Sequence, residues 1–401
     1  MNAGRRRVGL TVCATAFAAA ALTLALAATA RADETMDRAQ KIHAHLIGVD
    51  SHNDTLQRVL HGQEDISRRT PRGHVDLPRL KDAGMVAPFF ALWVPTYYHG
   101  ADAVRATLRL RDAMQSVLDA HPELIELATT AADVERIAGA GRIAAVLTLE
   151  GGHQIDDDLA VLRTYHRLGV RSMTLTHFRN NNWADSSTDV PRHNGLTDFG
   201  RQVVREMNRL GMIVDISHVS DKTFQDVLEV TTRPVIASHS SCRALSDIPR
   251  NMTDDMIRAL GRNGGVIGIN FGAGFLNPRD AQDVRGRIAQ AVATDPNLSG
   301  QALDEYAAAD YIKQYGEMKP AAATLEDAVA HIDHAVKLAG VDHVGIGSDW
   351  DGINSVPAGL EDVSKMPALT AALLRRGYTE ADVRKILGGN FLRVLREVTG
   401  R

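Results

Sequence analysis

Leu46-Ile47-Gly48-Val49-Asp50-Ser51-His52-Asn53-Asp54 starts apolar and ends with two carboxylates and a histidine inside five residues. An apolar lead-in running into polar residues reads as a buried strand, Leu46–Asp50, that surfaces at its C-terminal end. On a strand, residues two apart share a face, so Asp50, His52 and Asp54 are expected to point the same way. An imidazole and carboxylates on one face suit a divalent metal such as zinc. A short His-x-Asp is common, however, and a polar strand end with local hydrogen bonds has the same letters. The choice depends on what the rest of the chain supplies.

Working outward, seven more short apolar runs follow: Met85–Trp93, Ile143–Glu150, Val170–His177, Met212–His218, Pro234–His239, Gly265–Asn270 and His343–Asp349. Between most of them lie helical patterns, among them Ala101–Ala120, Asp157–Leu168, Asp198–Leu210, Asp221–Val230, Thr253–Arg262 and Thr324–Ala339. Strands alternating with helices indicate βα units and a parallel sheet. Eight strands in that order predict an α/β fold of the (β/α)₈ TIM-barrel type rather than an open sheet. A stretch from Gly272 to about Ala323 fits no strand and is a candidate lid. The tail is expected to form helices over Ala368–Arg376 and Thr379–Val398. No repeat, low-complexity tract or Pro/Gly-rich linker divides the chain.

Residues 1–32 stand apart from this pattern. Arg5-Arg6-Arg7 precede an Ala/Leu/Val-rich run from Val8 to about Ala28, and Ala30-Arg31-Ala32 offers a small-x-small cleavage site. That is the grammar of a signal peptide, predicting an exported (periplasmic or secreted) protein with no stable membrane span after cleavage and one hydrolase-sized domain over 33–401. Losing this segment removes four arginines and no acids, taking the formal net charge from −4 to −8. An acidic surface without a basic tract argues against a nucleic-acid partner. Cys13 leaves with the segment, so Cys242 remains as a single thiol and no internal disulfide is available. Stability must then come from a large core, which residues 33–401 can supply.

The decisive pattern is how the strands end. The predicted termini carry His52 and Asp54, Glu150 followed by Gly151-Gly152, His177, His218, His239 and Asp349. In a barrel all C-terminal strand ends converge on one face, where active sites sit. Any one of these residues alone is as well explained by local hydrogen bonding; six separate strand ends together point to a metal centre. His52, Asp54, Glu150, His218 and His239 make five ligands. One zinc takes about four, so five plus a shared hydroxide suit two ions with a bridging carboxylate. Glu150 is the candidate bridge, with His52 and Asp54 completing one ion and His218 and His239 the other. The glycines after Glu150 leave room for close backbone approach. Asp50, one strand pair deeper, is expected in a supporting role. Asp351 is second to Asp349, and His153 is expected beneath the ligands.

These residues resemble the membrane dipeptidases, also called renal dipeptidases, within the amidohydrolase-like metal-dependent barrels. The resemblance runs from about Asp50 to Leu395. It is carried by His52-Asn53-Asp54, Leu149-Glu150-Gly151-Gly152-His153, Leu175-Thr176-His177, Asn182-Trp183-Ala184-Asp185, Asp215-Ile216-Ser217-His218, Ser238-His239-Ser240-Ser241, Pro249-Arg250-Asn251, Gly347-Ser348-Asp349-Trp350-Asp351-Gly352 and Gly359-Leu360-Glu361-Asp362-Val363. The resemblance implies a dizinc hydrolase of small dipeptides, two Zn²⁺ per chain on the five ligands above, and a homodimer. It places His177, Arg250 and Asp349 at substrate-handling positions. The chemistry then expected is attack by a metal-bridging hydroxide, with His177 donating to the oxyanion, Asp349 moving the proton and Arg250 holding the free carboxylate. One departure concerns substrate preference. Some members carry tyrosines after the segment corresponding to Asn270-Phe271, whereas Gly272-Ala273-Gly274-Phe275 follows here. Rival readings are a hydrolase of N-acyl amino acids, lactams or phosphoesters on the same barrel, and a metal-holding binding protein without turnover.

Overall fold

The computed structural model describes residues 33–62 and 64–400; the predicted signal peptide lies outside them. Among the described residues there are nine strands: β1 Val49–Asn53, β2 Ala87–Trp93, β3 Ile125–Leu127, β4 Ile143–Glu150, β5 Val170–Thr174, β6 Ile213–Asp215, β7 Ile236–Ser240, β8 Val266–Ile269 and β9 Val344–Ile346. Eight pair in parallel in the order β1-β2-β4-β5-β6-β7-β8-β9, while β3 pairs only with β4. The ring closes through a parallel bridge between Asn53 and Trp350. Asp54 N donates to Trp350 O at 2.8 Å and Asp349 N to His52 O at 3.1 Å. The fold is the expected (β/α)₈ barrel.

Sequence accounts for the local pieces. β4, Ile-Ala-Ala-Val-Leu-Thr-Leu-Glu, is buried along its whole length, as a strand covered on both faces must be. The helices that return the chain open on side-chain caps: Thr197 accepts from Gly200 N, Ser220 from Thr223 N and Thr253 from Met256 N. Each cap satisfies one of the otherwise orphaned N–H groups of a helix's first turn. The third strand of the chain was not expected. Three residues of ladder leave too short a pattern to distinguish from a loop.

Two cores follow from the alternation of side chains. Outward residues such as Phe90, Leu92, Leu147, Leu149, Met173 and Ile267 pack with Leu110, Leu162, Val203, Phe224, Ile257 and Ile332 of the surrounding helices. Inward residues near the strands' N-terminal ends, Val49, Phe89, Val146, Ile213, Ile236 and Val266, pack with Phe391, Leu395 and Val398. The last helix, Asn390–Thr399, thereby stops the floor of the barrel. The expected continuous helix from Thr379 is interrupted over Lys385–Gly389. There Gly388 lies against Ile47 O and Val49 N, where a side chain has no room.

The unplaced stretch after Phe271 is helical. It comprises Ala273–Leu276, then α1 (Ala281–Ala293) and α2 (Gly300–Tyr315). Asp280 fastens its two ends together by accepting from Ala322 N and Ala323 N. No helix among the described residues is long and apolar enough to cross a membrane.

Candidate metal centre

The floor is apolar and the opposite end is not. At the C-terminal strand ends His52, Asp54, Glu150, His177, His218, His239, Arg250 and Asp349 are all buried. The structure brings the five expected ligands together around Glu150. His52 Nε2 lies 3.4 Å from Glu150 Oε2 and 3.5 Å from Asp54 Oδ2. On the other carboxylate oxygen, Oε1, sit His218 Nε2 at 3.0 Å and His239 Nε2 at 3.2 Å. The two histidine nitrogens are 2.9 Å apart. One carboxylate oxygen therefore faces one group of ligands and the second oxygen faces the other.

These separations have a direct metal reading. Two atoms bound at about 2.0–2.1 Å to one tetrahedral ion are about 3.3–3.4 Å apart. The polar atoms also lack other partners. His52 Nδ1 and Nε2, Asp54 Oδ1 and His218 Nδ1 are buried without a hydrogen bond. A buried donor set left unpaired costs free energy unless a ligand completes it. The donor set fits divalent ions, with His52, Asp54, Glu150, His218 and His239 as the residues that would hold them.

Electrostatics agree. Burial raises the proton affinity of Glu150, and burial with the neighbouring Glu150 pushes the Asp54 carboxyl up to about 6. Burial opposes a charged His52, yet Glu150 and Asp54 outweigh it and hold its proton affinity well above the usual range. His218 and His239 go the other way: burial, with Arg250 and His52 nearby, keeps both well below the ordinary histidine value. Neutral imidazoles beside carboxylates that want a positive partner form a site poised for a cation.

Backbone irregularity aims two of the histidines. Val49 and Ile236 face the floor of the barrel, so strict alternation would turn His52 and His239 away from it. The strand register shifts between Asp50 and Asn53 on β1 and between Ala237 and Ser240 on β7. A shift of this kind re-aims a side chain. The expected common face of Asp50, His52 and Asp54 is thus not a property of a regular strand. Asp54 lies past β1, at the start of the short helix Thr55–Leu60. Asp50 accepts from Ser348 N at 2.8 Å and Ser348 Oγ at 2.6 Å, which ties β1 to the strand end before Asp349. His218 (φ 68) and Asp349 (φ 62) both occupy the left-handed region, a conformation non-glycine residues adopt where surrounding structure enforces it. Gly152 fills the close approach expected after Glu150: a Cβ there would strike Trp183 and Leu175 O.

Around the ligands lie the other expected residues. His177 Nε2 is 3.7 Å from Glu150 Oε1, and burial keeps the ring well below the usual histidine value. Asp349 Oδ2 accepts from Asn270 Nδ2 at 2.8 Å, and burial raises its proton affinity. Arg250 donates to His239 O at 3.1 Å and lies over the Phe275 ring at 5.4 Å. Burial lowers its guanidinium to about 10. Asp351 is spoken for. It accepts from Arg58 Nη1 at 3.1 Å, His74 N at 2.7 Å and Thr55 Oγ1 at 2.9 Å. Burial would raise its proton affinity, but Arg58 and His74 hold it far below the carboxylate range. His153 packs beside His177, where it adds to lowering that ring's proton affinity, and its Nε2 is buried without a hydrogen bond.

All of this opens into a pocket lined also by Trp93, Phe178, Arg287, Tyr311, Tyr315 and Ile353. Sequence reasoning missed Asn270, Arg287, Tyr311 and Tyr315. Asn270 had a signal, as the polar end of β8. The other three come from α1 and α2, inside the stretch without strand pattern, and nothing in their spacing marks them. Where the segment after Phe271 lacks tyrosine, α2 supplies two to the same cavity.

Comparison with known proteins gives the same picture. A family model described as "Membrane dipeptidase (Peptidase family M19)" matches residues 36–400. The chain is 38% identical to dipeptidase tcpJ of Claviceps purpurea, over 87% of this chain and 76% of that protein. It is 36% identical to dipeptidase 3 of Mus musculus, over 87% of this chain and 64% of that longer protein. A crystal structure of a metallopeptidase from Rhodobacter sphaeroides, liganded with a phosphinate mimic of the dipeptide L-Ala-D-Ala, superposes with a TM-score of 0.72 at 28% identity. That match covers 88% of this chain and 99% of the other.

Proposed function

The chain belongs to the membrane dipeptidase family and is a metallopeptidase of that family, and from this premise we propose that it is an exported zinc-dependent dipeptidase with two ions per chain and a hydroxide nucleophile. The observation that carries the proposal is the placement of Glu150. Its two oxygens face separate ligand groups, and Glu150 lines the pocket that also holds His177, Arg250 and Asp349. A relative that binds a dipeptide mimic supports the substrate class.

His52, Asp54, Glu150, His218 and His239 would hold the ions, which would supply Lewis-acid chemistry by acidifying water and polarising the substrate carbonyl. The protein's own groups supply the rest. Arg250 takes the free C-terminal carboxylate with its planar fork, which fixes the scissile bond at one residue's distance. Its acceptor is a main-chain carbonyl, so its charge remains available. Neutral His177 keeps one N–H to donate to the oxygen that becomes negative as the carbonyl is attacked. Asp349, with its proton affinity raised by burial and one oxygen held by Asn270, takes the proton from the attacking water and delivers it to the leaving amine. The aromatic walls exclude bulk water and strengthen each of these interactions.

The test is metal analysis of the purified protein alongside hydrolysis of a dipeptide panel, including N-blocked versions. The expected result is close to two zinc ions per chain, cleavage of free dipeptides and loss of cleavage on N-acylation. Full activity at one ion per chain would sink the bridged mechanism. Turnover of N-acyl amino acids alone would move the substrate class.

A further inference from the structure

The buried Arg58, Arg79 and Arg250 and the half-buried Arg287 are of two kinds. Arg58 and Arg79 are saturated by carboxylates: Arg58 by Asp351 at 3.1 Å and Glu64 at 2.5 Å, Arg79 by Asp76 at 2.7 Å and Asp362 at 2.9 Å. The two arginines that line the cavity are built otherwise. Arg250 touches a carbonyl oxygen and an aromatic face. Arg287, on α1, is constructed the same way. Its guanidinium lies over the Tyr315 ring at 5.2 Å and donates to Asn354 Oδ1 at 3.3 Å, Tyr315 OH at 3.1 Å and Gly352 O at 3.1 Å. All three acceptors are neutral. A guanidinium has five N–H donors, so the Nε proton and one Nη1 proton remain for a ligand. Held in place and uncompensated, Arg287 is a second anion-binding group in the cavity.

Position decides which part of a substrate it meets. Arg250 bonds the carbonyl of His239 and so stands on the His218/His239 side of Glu150. Arg287 bonds the carbonyl of Gly352, and a Cβ at Gly352 would strike Asp54 and Asp349. Arg287 therefore stands on the His52/Asp54 side. A dipeptide with its carboxylate on Arg250 and its carbonyl over Glu150 extends its N-terminal residue toward Arg287. The free ammonium then has Asp349 beside it, and a side chain from the same residue reaches the wall beyond.

We propose that Arg287 makes this enzyme selective for dipeptides whose N-terminal residue carries an acidic side chain, aspartate or glutamate. The inference rests on the dipeptidase reading above. A carboxylate there completes a charge-assisted fork on a guanidinium already oriented, while a lysine or arginine side chain is repelled.

The test compares kcat/KM of the purified, zinc-loaded protein on Glu-Ala, Gln-Ala, Lys-Ala and Ala-Ala. Glu and Gln have the same shape and differ in charge, so a change that merely loosens the fold alters both alike. The expected preference for Glu-Ala over Gln-Ala is about tenfold or more, with Lys-Ala poorest. Arg287→Gln should bring the Glu/Gln ratio to within about twofold of unity, and Arg287→Lys should retain part of it as a point charge. Cleavage of Ala-Ala with a Glu/Gln ratio near one overturns the selectivity and leaves the dipeptidase reading standing. A ratio unchanged in Arg287→Gln removes Arg287 from the role. Failure to cleave any of the four overturns the dipeptidase reading and the selectivity with it.

Discussion

The cavity has two walls of different construction. One is the ring of strand ends carrying His52, Glu150, His218 and His239. The other is the helical excursion carrying Arg287, Tyr311 and Tyr315. The ring is held by main-chain ladders, and each of its side chains is nearly sealed from water. The excursion is held by side chains near the surface. Asp304 of α2 receives Arg105 Nη1 at 2.5 Å, Tyr98 OH at 3.0 Å and the Arg109 guanidinium, while Tyr97 OH reaches Asp310 at 3.2 Å. Geometry set by a ladder cannot drift without unzipping a barrel; geometry set by half-exposed ion pairs can change with a few substitutions. Under the function proposed above, the difference gives chemistry to the first wall and selectivity to the second. It also makes the excursion a tethered wall rather than a free flap.

The largest effect is expected where the ladder wall is cut. Glu150→Gln leaves both ligand groups without their shared carboxylate, and kcat/KM should fall more than about 10³-fold with loss of at least one ion per chain. A variant retaining both ions and near-normal activity would falsify the bridging role.

Next is the support beneath that wall. Arg58→Ala leaves Asp351 buried and uncompensated, with an expected stability loss of about 3–5 kcal/mol in denaturant unfolding. The same carboxylate predicts an acid limb. Its folded proton affinity lies below the unfolded value, so its stabilisation is complete above about pH 4 and declines as pH falls toward the folded value. Asp351→Asn should flatten the pH dependence of stability below pH 4; an unchanged slope would remove Asp351 from that account.

Arg250→Ala is expected to raise KM about 10–100-fold with a smaller change in kcat, since a charge-assisted fork to the carboxylate is lost. An unchanged KM would count against its role. The smallest effect belongs to the tether. Asp304→Ala should cost about 1 kcal/mol or less, because its pairs are partly solvated, and should lower kcat/KM only a few-fold. A hundredfold loss there would erase the contrast between the walls.

The legibility of the molecule follows the same division. Six of the eight expected strand segments contain the observed strands and Pro234–His239 ends one residue short of β7, because parallel strands buried on both faces read as unbroken apolar runs. The first is shifted: Leu46–Asp50 was expected and Val49–Asn53 is found, because the polar letters of His52 and Asn53 hid a strand continuing into the site. The three-residue β3 and the break at Lys385–Gly389 were invisible, one being too short for a period and the other set by contact with Ile47. Of the candidate residues, those at strand ends could be named one by one. Asp349 and Asp351 could only be ranked, since two carboxylates two apart differ only by what surrounds them.

The sequence alone determined the order of strands and helices and the chemistry at each strand end, because both are written in local pattern and residue type. It also carried the motifs of the family to which the chain belongs. Tertiary structure alone decided three things. Register shifts in β1 and β7, imposed by neighbouring strands, turn His52 and His239 toward Glu150. Arg58 and His74, distant in sequence, bind Asp351 and leave Asp349 facing the cavity. The excursion that follows β8 swings Arg287 and two tyrosines over the site. Each is a long-range contact, and no local period encodes which surface a folded chain will bring to face another.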